Sequence, residues 1–407
     1  MNSVSDVMVI GGGPCGSFTA LKLAKRGANV TVFEEHKETG VPSHCPGHVS
    51  IDGLKHLGLY PLPAGVVENT FCGATFHSPS GKAFSVRFPS PVTCTVNRVS
   101  FDKYLTSLAE AAGVRFCMNS HAESLIIENG IVKGVIVNES GKVEEHFAKI
   151  VVDAEGISSK LLRQAGLHTL NRHWLINGMS AEAENVKNMK SDMVEVFLGR
   201  DYSPGFFAWL IPKRDGQVKV GLGTKTGNPK EFLQRLIVEH PSASKRLQKA
   251  RIRHISFHPL TLGGSVAKTY SNGFLVVGDA ASHVKPTTGG GLVLGLTCAD
   301  TAAEIAFEAL QRNNCSDDFL ASYQRRCEET LSFDMKIMLR MRKMLNALSD
   351  RQINGAIDFC SRFGLDKSLQ NLDDFDFQGR SLLHAMHDPR ILTALGYFFY
   401  IYLSANP

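Results

Sequence analysis

A chain of 407 residues with 43% hydrophobic and 20% charged side chains can bury a sizeable core and fits one to three globular domains. Its net charge of +5 is mild and spread along the chain, without a basic arm interleaved with aromatics, which argues against a nucleic-acid partner. Nine cysteines, an odd number with no Cys-x-x-Cys pair, speak for reduced cytosolic thiols rather than a disulfide framework or zinc cluster, and no run of roughly 18 apolar residues offers a membrane span.

A strand is predicted from Asp6 to Ile10, so early that it leaves no room for a signal peptide. Gly11-Gly-Gly-Pro-Cys-Gly16 follows and fits Gly-x-Gly-x-x-Gly at 11, 13 and 16. Residues 17–26 carry helical spacing, with Phe18, Leu21 and Ala24 on one face, and Asn29 to Phe33 reads as a second strand ending in Glu34. This order suits a dinucleotide: its pyrophosphate on the helix N-terminus, its ribose hydroxyl on Glu34, with Glu35 the alternative. The loop from Glu35 to Ser50 contains Pro42, His44, Cys45, Pro46, Gly47 and His48. His44, Cys45 and His48 lack a nearby fourth ligand, so no metal is expected.

Thr70 to Phe88 is predicted to be a hairpin turning at 78–81, and Val96 to Ala112 brings Arg98 and a helix with Phe101, Leu105, Leu108 and Ala112 inward. Residues 114–152 read as a strand and a meander turning at Asn129-Gly130 and Ser140-Gly141. A return strand, Lys149 to Val152, ends in Asp153-Ala-Glu-Gly156. Residues 171–262 alternate like an antiparallel sheet, as in Met193 to Leu198, Phe206 to Ile211 and Val218 to Leu222, with one or two helices between Pro229 and Ala250. A buried strand, Phe274 to Val277, then leads into Gly278-Asp-Ala-Ala-Ser-His-Val-Lys-Pro-Thr-Thr-Gly-Gly-Gly-Leu292 and a helix to about Leu310. Three glycines let the backbone pass close to a flat or charged group, and the helix points free N–H groups at it.

After 312 the chain reads as helical. Met335, Met338, Leu339, Met341, Met344 and Leu345 form either a core face or a deformable wall for a long apolar ligand. Ile391 to Leu403, with Tyr397, Phe398, Phe399, Tyr400 and Tyr402, either packs inside or rests at a membrane interface. The expected fold is α/β. A discontinuous Rossmann-type nucleotide domain (1–170, with the hairpin near 70–88 joining the second sheet, and 263–312) encloses an antiparallel-sheet domain (171–262). A helical region, 313–407, follows.

GGGPCG with Glu34, DAEGISSK at 153–160 and GDAASHVKPTTGGGL at 278–292 together resemble FAD-dependent oxidoreductases of the glutathione-reductase-like, hydroxylase-type fold. The resemblance implies FAD, with Gly11, Gly13, Cys15 and Gly16 of the first glycine turn at the ADP half, Glu34 on the ribose, and Arg98 helping to hold the FAD. It also implies Asp279 near the ribityl or pyrophosphate region, Gly289, Gly290, Gly291 and Leu292 beside the ring, and Pro286 lining the cavity between the ring and the Trp209 sheet. The middle motif usually reads Asp-Gly, where this chain has Glu155-Gly156.

Within that fold the chain resembles geranylgeranyl reductases, most of all the archaeal kind that saturates membrane-lipid precursors. Phe207-Ala-Trp209-Leu-Ile-Pro212, then eight residues, then Gly221-Leu-Gly223 is similar to their signature, with Phe207 where Tyr is usual and Ile211 where Phe is usual. Pro42-Ser-His-Cys45 resembles their loop with a cysteine facing the flavin. The resemblance implies hydride from reduced FAD to one alkene carbon and a proton to the other. Cys45 is the candidate donor, with His44, His48 and His283 as rivals; Phe207, Trp209, Pro212, Gly221 and Gly223 would line the isoprenoid site. The expected partners are a long-chain isoprenoid lipid, an electron donor (ferredoxin, a quinol or NAD(P)H) and a peripheral membrane surface. A flavin monooxygenase, a geranylgeranyl diphosphate or (bacterio)chlorophyll-type prenyl reductase, and a prenyl carrier without flavin are the alternatives.

Overall fold

The computed structural model describes residues 5–372 and 374–405. The chain forms two compact units: residues up to Ser43, Arg98–Trp174 and Thr261–Met335 make the first; His44–Asn97, Leu175–Leu260 and residues from Lys336 onward make the second.

In the first unit the apolar runs form a sheet whose strands are parallel along the order below, except that Tyr270–Ser271 pairs antiparallel with Phe274–Val276. Its order is Tyr270–Ser271, Phe274–Val276, Lys142–Asp153, Ser5–Ile10, Val30–Phe33 and Arg115–Cys117. Val7, Val9, Val32, Ile150, Val151, Val152, Leu275 and Val276 are buried, as strands covered on both faces require. Helix Pro14–Lys25 packs against helices Arg98–Ala111 and Leu292–Gln311. The return strand begins at Lys142, not Lys149, because it changes partners along its length. Lys142–Phe147 pairs antiparallel with Ile131–Glu139, and Ala148–Asp153 pairs parallel with Ser5–Ile10.

The second unit carries a seven-stranded sheet in the order Arg251–Thr261, Leu175–Glu184, Val218–Thr224, Ala208–Pro212, Met193–Phe197, Gly73–His77 and Ala83–Arg87. Leu175–Glu184, Val218–Thr224, Ala208–Pro212 and Met193–Phe197 pair antiparallel in turn, as do the hairpin strands, whereas Met193–Phe197 runs parallel to Gly73–His77. The hairpin strands 73–87 arrive from far earlier in the chain, so no tight turn imposes the antiparallel direction there. Residues 44–97 fall wholly in this unit. They form a small sheet, His48–Ser50, Thr93–Val96 and Val67–Phe71, and Asn69 Nδ2 donates to the carbonyls of Ser191 (2.7 Å) and Pro212 (2.9 Å). Helix Pro229–Glu239 covers the large sheet, with Leu233 and Leu236 packed on Met179, Ala181 and Leu222.

The tail is helical. Helix Asp350–Arg362 opens with a capping box of Ser349 and Gln352. Its Ile357 and Cys360, with Ile391 and Ala394 of helix Pro389–Ala405, pack on Phe84 and Val86. Met335 and Met338 are buried, and Leu339, Met341, Met344 and Leu345 are half-buried. No helix among the described residues is long and apolar enough to cross a membrane.

Candidate active site

The sheet of the first unit aligns four strand ends. Ile10 is in register with Phe33 and with Asp153, and Asp153 with Val276. The glycine turn, Glu34, the Asp153–Gly156 turn and Gly278-Asp279 therefore leave the sheet side by side, at the carboxyl ends where open α/β sheets bind ligands. Backbone bonds hold the row: Gly11 N–H donates to Phe33 O (2.8 Å), Ala154 N–H to Ile10 O (2.8 Å) and Val277 N–H to Asp153 O (2.9 Å).

Within the glycine turn the three positions differ. A Cβ on Gly16 would overlap the carbonyl oxygen of Gly11, so Gly16 permits the helix to start against the strand end. A Cβ on Gly13 would meet nothing within 4 Å. That opening lies at the N-terminus of helix Pro14–Lys25, which has no side-chain cap and no acidic residue in its first turn. Glu34 is buried, and its Oε2 accepts from Gly12 N–H at 2.6 Å while Oε1 accepts from His36 N–H at 2.9 Å. Glu35 is exposed and faces His121 Nδ1 at 2.9 Å, which leaves Glu34 at the turn. Arg98 makes a two-point contact with buried Asp102, 3.0 Å from Nε and from Nη2. Burial raises the Asp102 carboxyl; Arg98 opposes this and the Glu34 carboxylate adds to it. Burial first, then the Asp279 carboxylate, pushes the Cys15 thiol far up, so it stays a neutral packing group beside Gly278 and Gly295.

The Glu155-Gly156 departure has a structural role. Glu155 Oε1 accepts from the Leu161 N–H at 2.8 Å, an uncapped donor in the first turn of the short helix Lys160–Gln164. Its extra methylene supplies the reach.

In the stretch 278–292, Gly289 N–H donates to Lys285 O (2.9 Å) and Lys285 N–H to Gly290 O (3.1 Å), closing a compact loop over buried Pro286 and Thr287. A Cβ on Gly291 would lie 3.0 Å from Asp279 Oδ1. Helix Leu292–Gln311 starts there with no side-chain cap and no acid in its first turn. His283 is 2% exposed, and burial pushes its imidazole down to about 4, so it is neutral at ordinary pH.

In the second unit, the aromatic and glycine parts of the Trp209 signature occupy adjacent strands. Trp209 is in register with Gly221, and Gly223 N–H donates to Phe207 O at 3.2 Å. A Cβ on Gly221 would overlap the Trp209 indole, and one on Gly223 would lie 2.7 Å from the Phe206 ring. The glycines are the bed on which the aromatics lie. Phe206 and Phe207 stack at 4.1 Å, Phe207 meets Trp209 edge-on at 6.0 Å, and buried Arg342 lies 4.7 Å over Phe206. Pro212 ends the strand. Cys45 is exposed, and its Sγ accepts from Gly47 N–H at 3.4 Å. Half-buried His44 stacks on His258 at 5.5 Å, and exposed His48 pairs with Thr93 Oγ1 at 2.8 Å. No cluster among the described residues could hold a metal ion.

Comparison with known proteins decides between the families that share these motifs. Residues 4–332 match the FAD binding domain family. The chain is 32% identical to digeranylgeranylglycerophospholipid reductase 2 of Methanopyrus kandleri, over 88% of this chain and 90% of that one. It is 33% identical to the digeranylgeranylglycerophospholipid reductase of Methanocaldococcus jannaschii, over 92% and 93%. The chain belongs to the digeranylgeranylglycerophospholipid reductase family. Its fold also matches the crystal structure of a geranylgeranyl bacteriochlorophyll reductase-like protein of Thermoplasma acidophilum, with a TM-score of 0.85, 26% identity and coverage of 97% and 99%.

FAD is the cofactor, and the first unit of this reductase-family chain fits it. Two uncapped, acid-free helix N-termini, at Pro14 and Leu292, suit the pyrophosphate and the electron-rich edge of the ring. The opening at Gly13 would give room to a phosphate, and the Glu34 carboxylate would hold a ribose hydroxyl. Sequence reasoning missed buried Asp153, His258 against His44, Arg342 over Phe206, and Lys219. Asp153 opens the DAEGISSK motif and Lys219 is a lysine inside an apolar strand of the signature itself, so these two left a signal.

Proposed function

We propose that this chain is an FAD-dependent reductase that saturates carbon–carbon double bonds in the geranylgeranyl chains of isoprenoid glycerophospholipids. The observation that carries this is the pairing of Trp209 with Gly221, an aromatic-over-glycine bed that reads the reductase signature as one surface. Phe207 and Trp209 give that surface an apolar character suited to a prenyl chain.

An isolated alkene is not polarised by a carbonyl, so reduction at one carbon needs a proton at the other. When bound, reduced FAD supplies the hydride, which no side chain can. Cys45 supplies the proton: its S–H bond breaks as the C–H bond forms, and the thiolate regains a proton from solvent. Its exposed thiol is oriented by the Gly47 N–H. His283 is held in its neutral form by burial, which makes it a poor proton donor near neutral pH. The electrons are restored by a separate donor of the ferredoxin or nicotinamide type.

The substrate resides in a bilayer, and helix Pro389–Ala405 suits peripheral attachment to it. Ile391, Ala394 and Ile401 face inward, while Leu392, Phe399, Tyr400 and Leu403 are exposed along the opposite stripe, which carries no charge.

An anaerobic assay with chemically reduced FAD tests the reading. Digeranylgeranyl glycerophospholipid is expected to gain hydrogen at its double bonds, and free geranylgeranyl diphosphate to react at least tenfold more slowly. A protein that fails to take up FAD, or that oxidises reduced flavin only with dioxygen and yields a hydroxylated lipid, would sink it.

A further inference from the structure

We propose that Lys219 is a positioning residue that holds the Cys45 turn; the inference rests on the reading of Cys45 as proton donor. Lys219 belongs to strand Val218–Thr224, in which every residue is buried, and is itself 8% exposed. An ammonium in such a place needs partners for its donors. Lys219 Nζ makes an ion pair with Glu68 and donates to the carbonyl oxygens of Pro46 at 2.8 Å and Val96 at 3.5 Å. Glu68 in turn lies 3.8 Å from Lys213, so its charge is shared by two cations.

The Pro46 contact matters because of what surrounds it. Cys45, Pro46 and Gly47 form a turn fixed at three points. Pro46 O accepts from Lys219, Gly47 O accepts from Val96 N–H at 2.9 Å, and Cys45 Sγ accepts from Gly47 N–H at 3.4 Å. Gly47 has φ +75°, and a Cβ there would overlap the Val96 carbonyl, so the turn is pressed against its neighbour with no slack on that side. Of the three tethers only the first comes from a side chain outside the turn. That side chain stands two residues before Gly221 and four before Gly223, on the same face of the same strand. One strand thus carries both the glycine bed for Trp209 and the anchor for the thiol, which fixes the height of Cys45 relative to the aromatic surface.

Hydrogen exchange of the 44–48 segment and steady-state kinetics of Lys219→Met, Lys219→Arg, Cys45→Ala and the Lys219→Met/Cys45→Ala double variant test this in the FAD-loaded enzyme. In Lys219→Met we expect exchange at Gly47 N–H to rise at least tenfold while the strands of the large sheet stay protected, and kcat to fall at least tenfold with KM and FAD content unchanged. Lys219→Arg recovers most of both. In the Cys45→Ala background, Lys219→Met has no further effect on kcat. Unchanged exchange at Gly47, exchange that rises across the whole sheet, or an equal loss of kcat in both backgrounds would overturn the proposal. Should Lys219→Met not accumulate as folded protein, Glu68→Gln replaces it, with at least a threefold rise in Gly47 exchange expected and no rise counting against. A fully active Cys45→Ala would refute Cys45 as donor while the exchange data still report on the tether, so the two failures are distinguishable.

Discussion

Trp209 and Gly221 face each other across adjacent strands, and the indole occupies the space a Cβ on Gly221 would need. Gly221→Ala therefore displaces the ring. Overpacking of this kind costs about 1–3 kcal/mol. The expected outcome is a lower melting temperature, normal FAD content and a changed pattern of reduced double bonds, read by mass spectrometry of the lipid. A melting shift with an unchanged product pattern would make Trp209 a packing residue.

Gly13 and Gly16 separate fold from cofactor. A Cβ on Gly16 collides with the backbone of Gly11, so Gly16→Ala is expected to lose both stability and FAD. A Cβ on Gly13 has no protein neighbour within 4 Å. Gly13→Ala should melt with the parent apoprotein, within about 0.5 kcal/mol of stability. It should still bind FAD about tenfold more weakly, a loss of about 1.4 kcal/mol. Titration of the apoprotein with FAD checks this.

His283 makes stability depend on acidity. Burial lowers its pKa from the ordinary 6.5 to about 4, so the unfolded chain binds the proton more readily than the folded one. Its contribution is fully present above pH 6.5 and is lost as pH falls towards 4, by about 3 kcal/mol in all. Buried His240, also lowered to about 4 chiefly by burial, adds a second loss over the same window. Denaturation between pH 7 and 4 should therefore show a shallower fall for His283→Gln than for the parent. Equal slopes would mean that His283 is protonated in the folded chain.

The exposed stripe on helix Pro389–Ala405 should be separable from the fold. Phe399 and Tyr400 are 59% and 69% exposed, so Phe399→Glu/Tyr400→Glu should leave the melting temperature within a few degrees. Sedimentation with vesicles of anionic phospholipid should fall at least tenfold, with turnover of a detergent-dispersed substrate retained. Unchanged sedimentation would place membrane attachment elsewhere.

The sequence revealed these features unevenly, for physical reasons. Strands buried on both faces, such as residues 7–10 of the first strand, leave continuous apolar runs, and the turns that bind phosphate need glycine, so the nucleotide half could be read directly. Met193–Phe197 was legible only by its alternation, and alternation is blind to direction, so its parallel partner Gly73–His77 could not be read. The role of Glu155 was equally hidden, because capping Leu161 depends on how the turn folds. Cys45 could be singled out only through its motif. Its tether to Lys219 joins residues 173 positions apart, which no local pattern records.

The most direct test of the central claim is a single anaerobic turnover. The enzyme, with its FAD chemically reduced, is mixed with digeranylgeranyl glycerophospholipid, and flavin absorbance and lipid mass are followed together. Flavin reoxidation matched one-for-one by saturated double bonds, and slowed by about 10²–10⁴-fold in Cys45→Ala, is the predicted result. Flavin that stays reduced in the presence of the lipid, or reoxidises without any gain of hydrogen in it, would contradict the account.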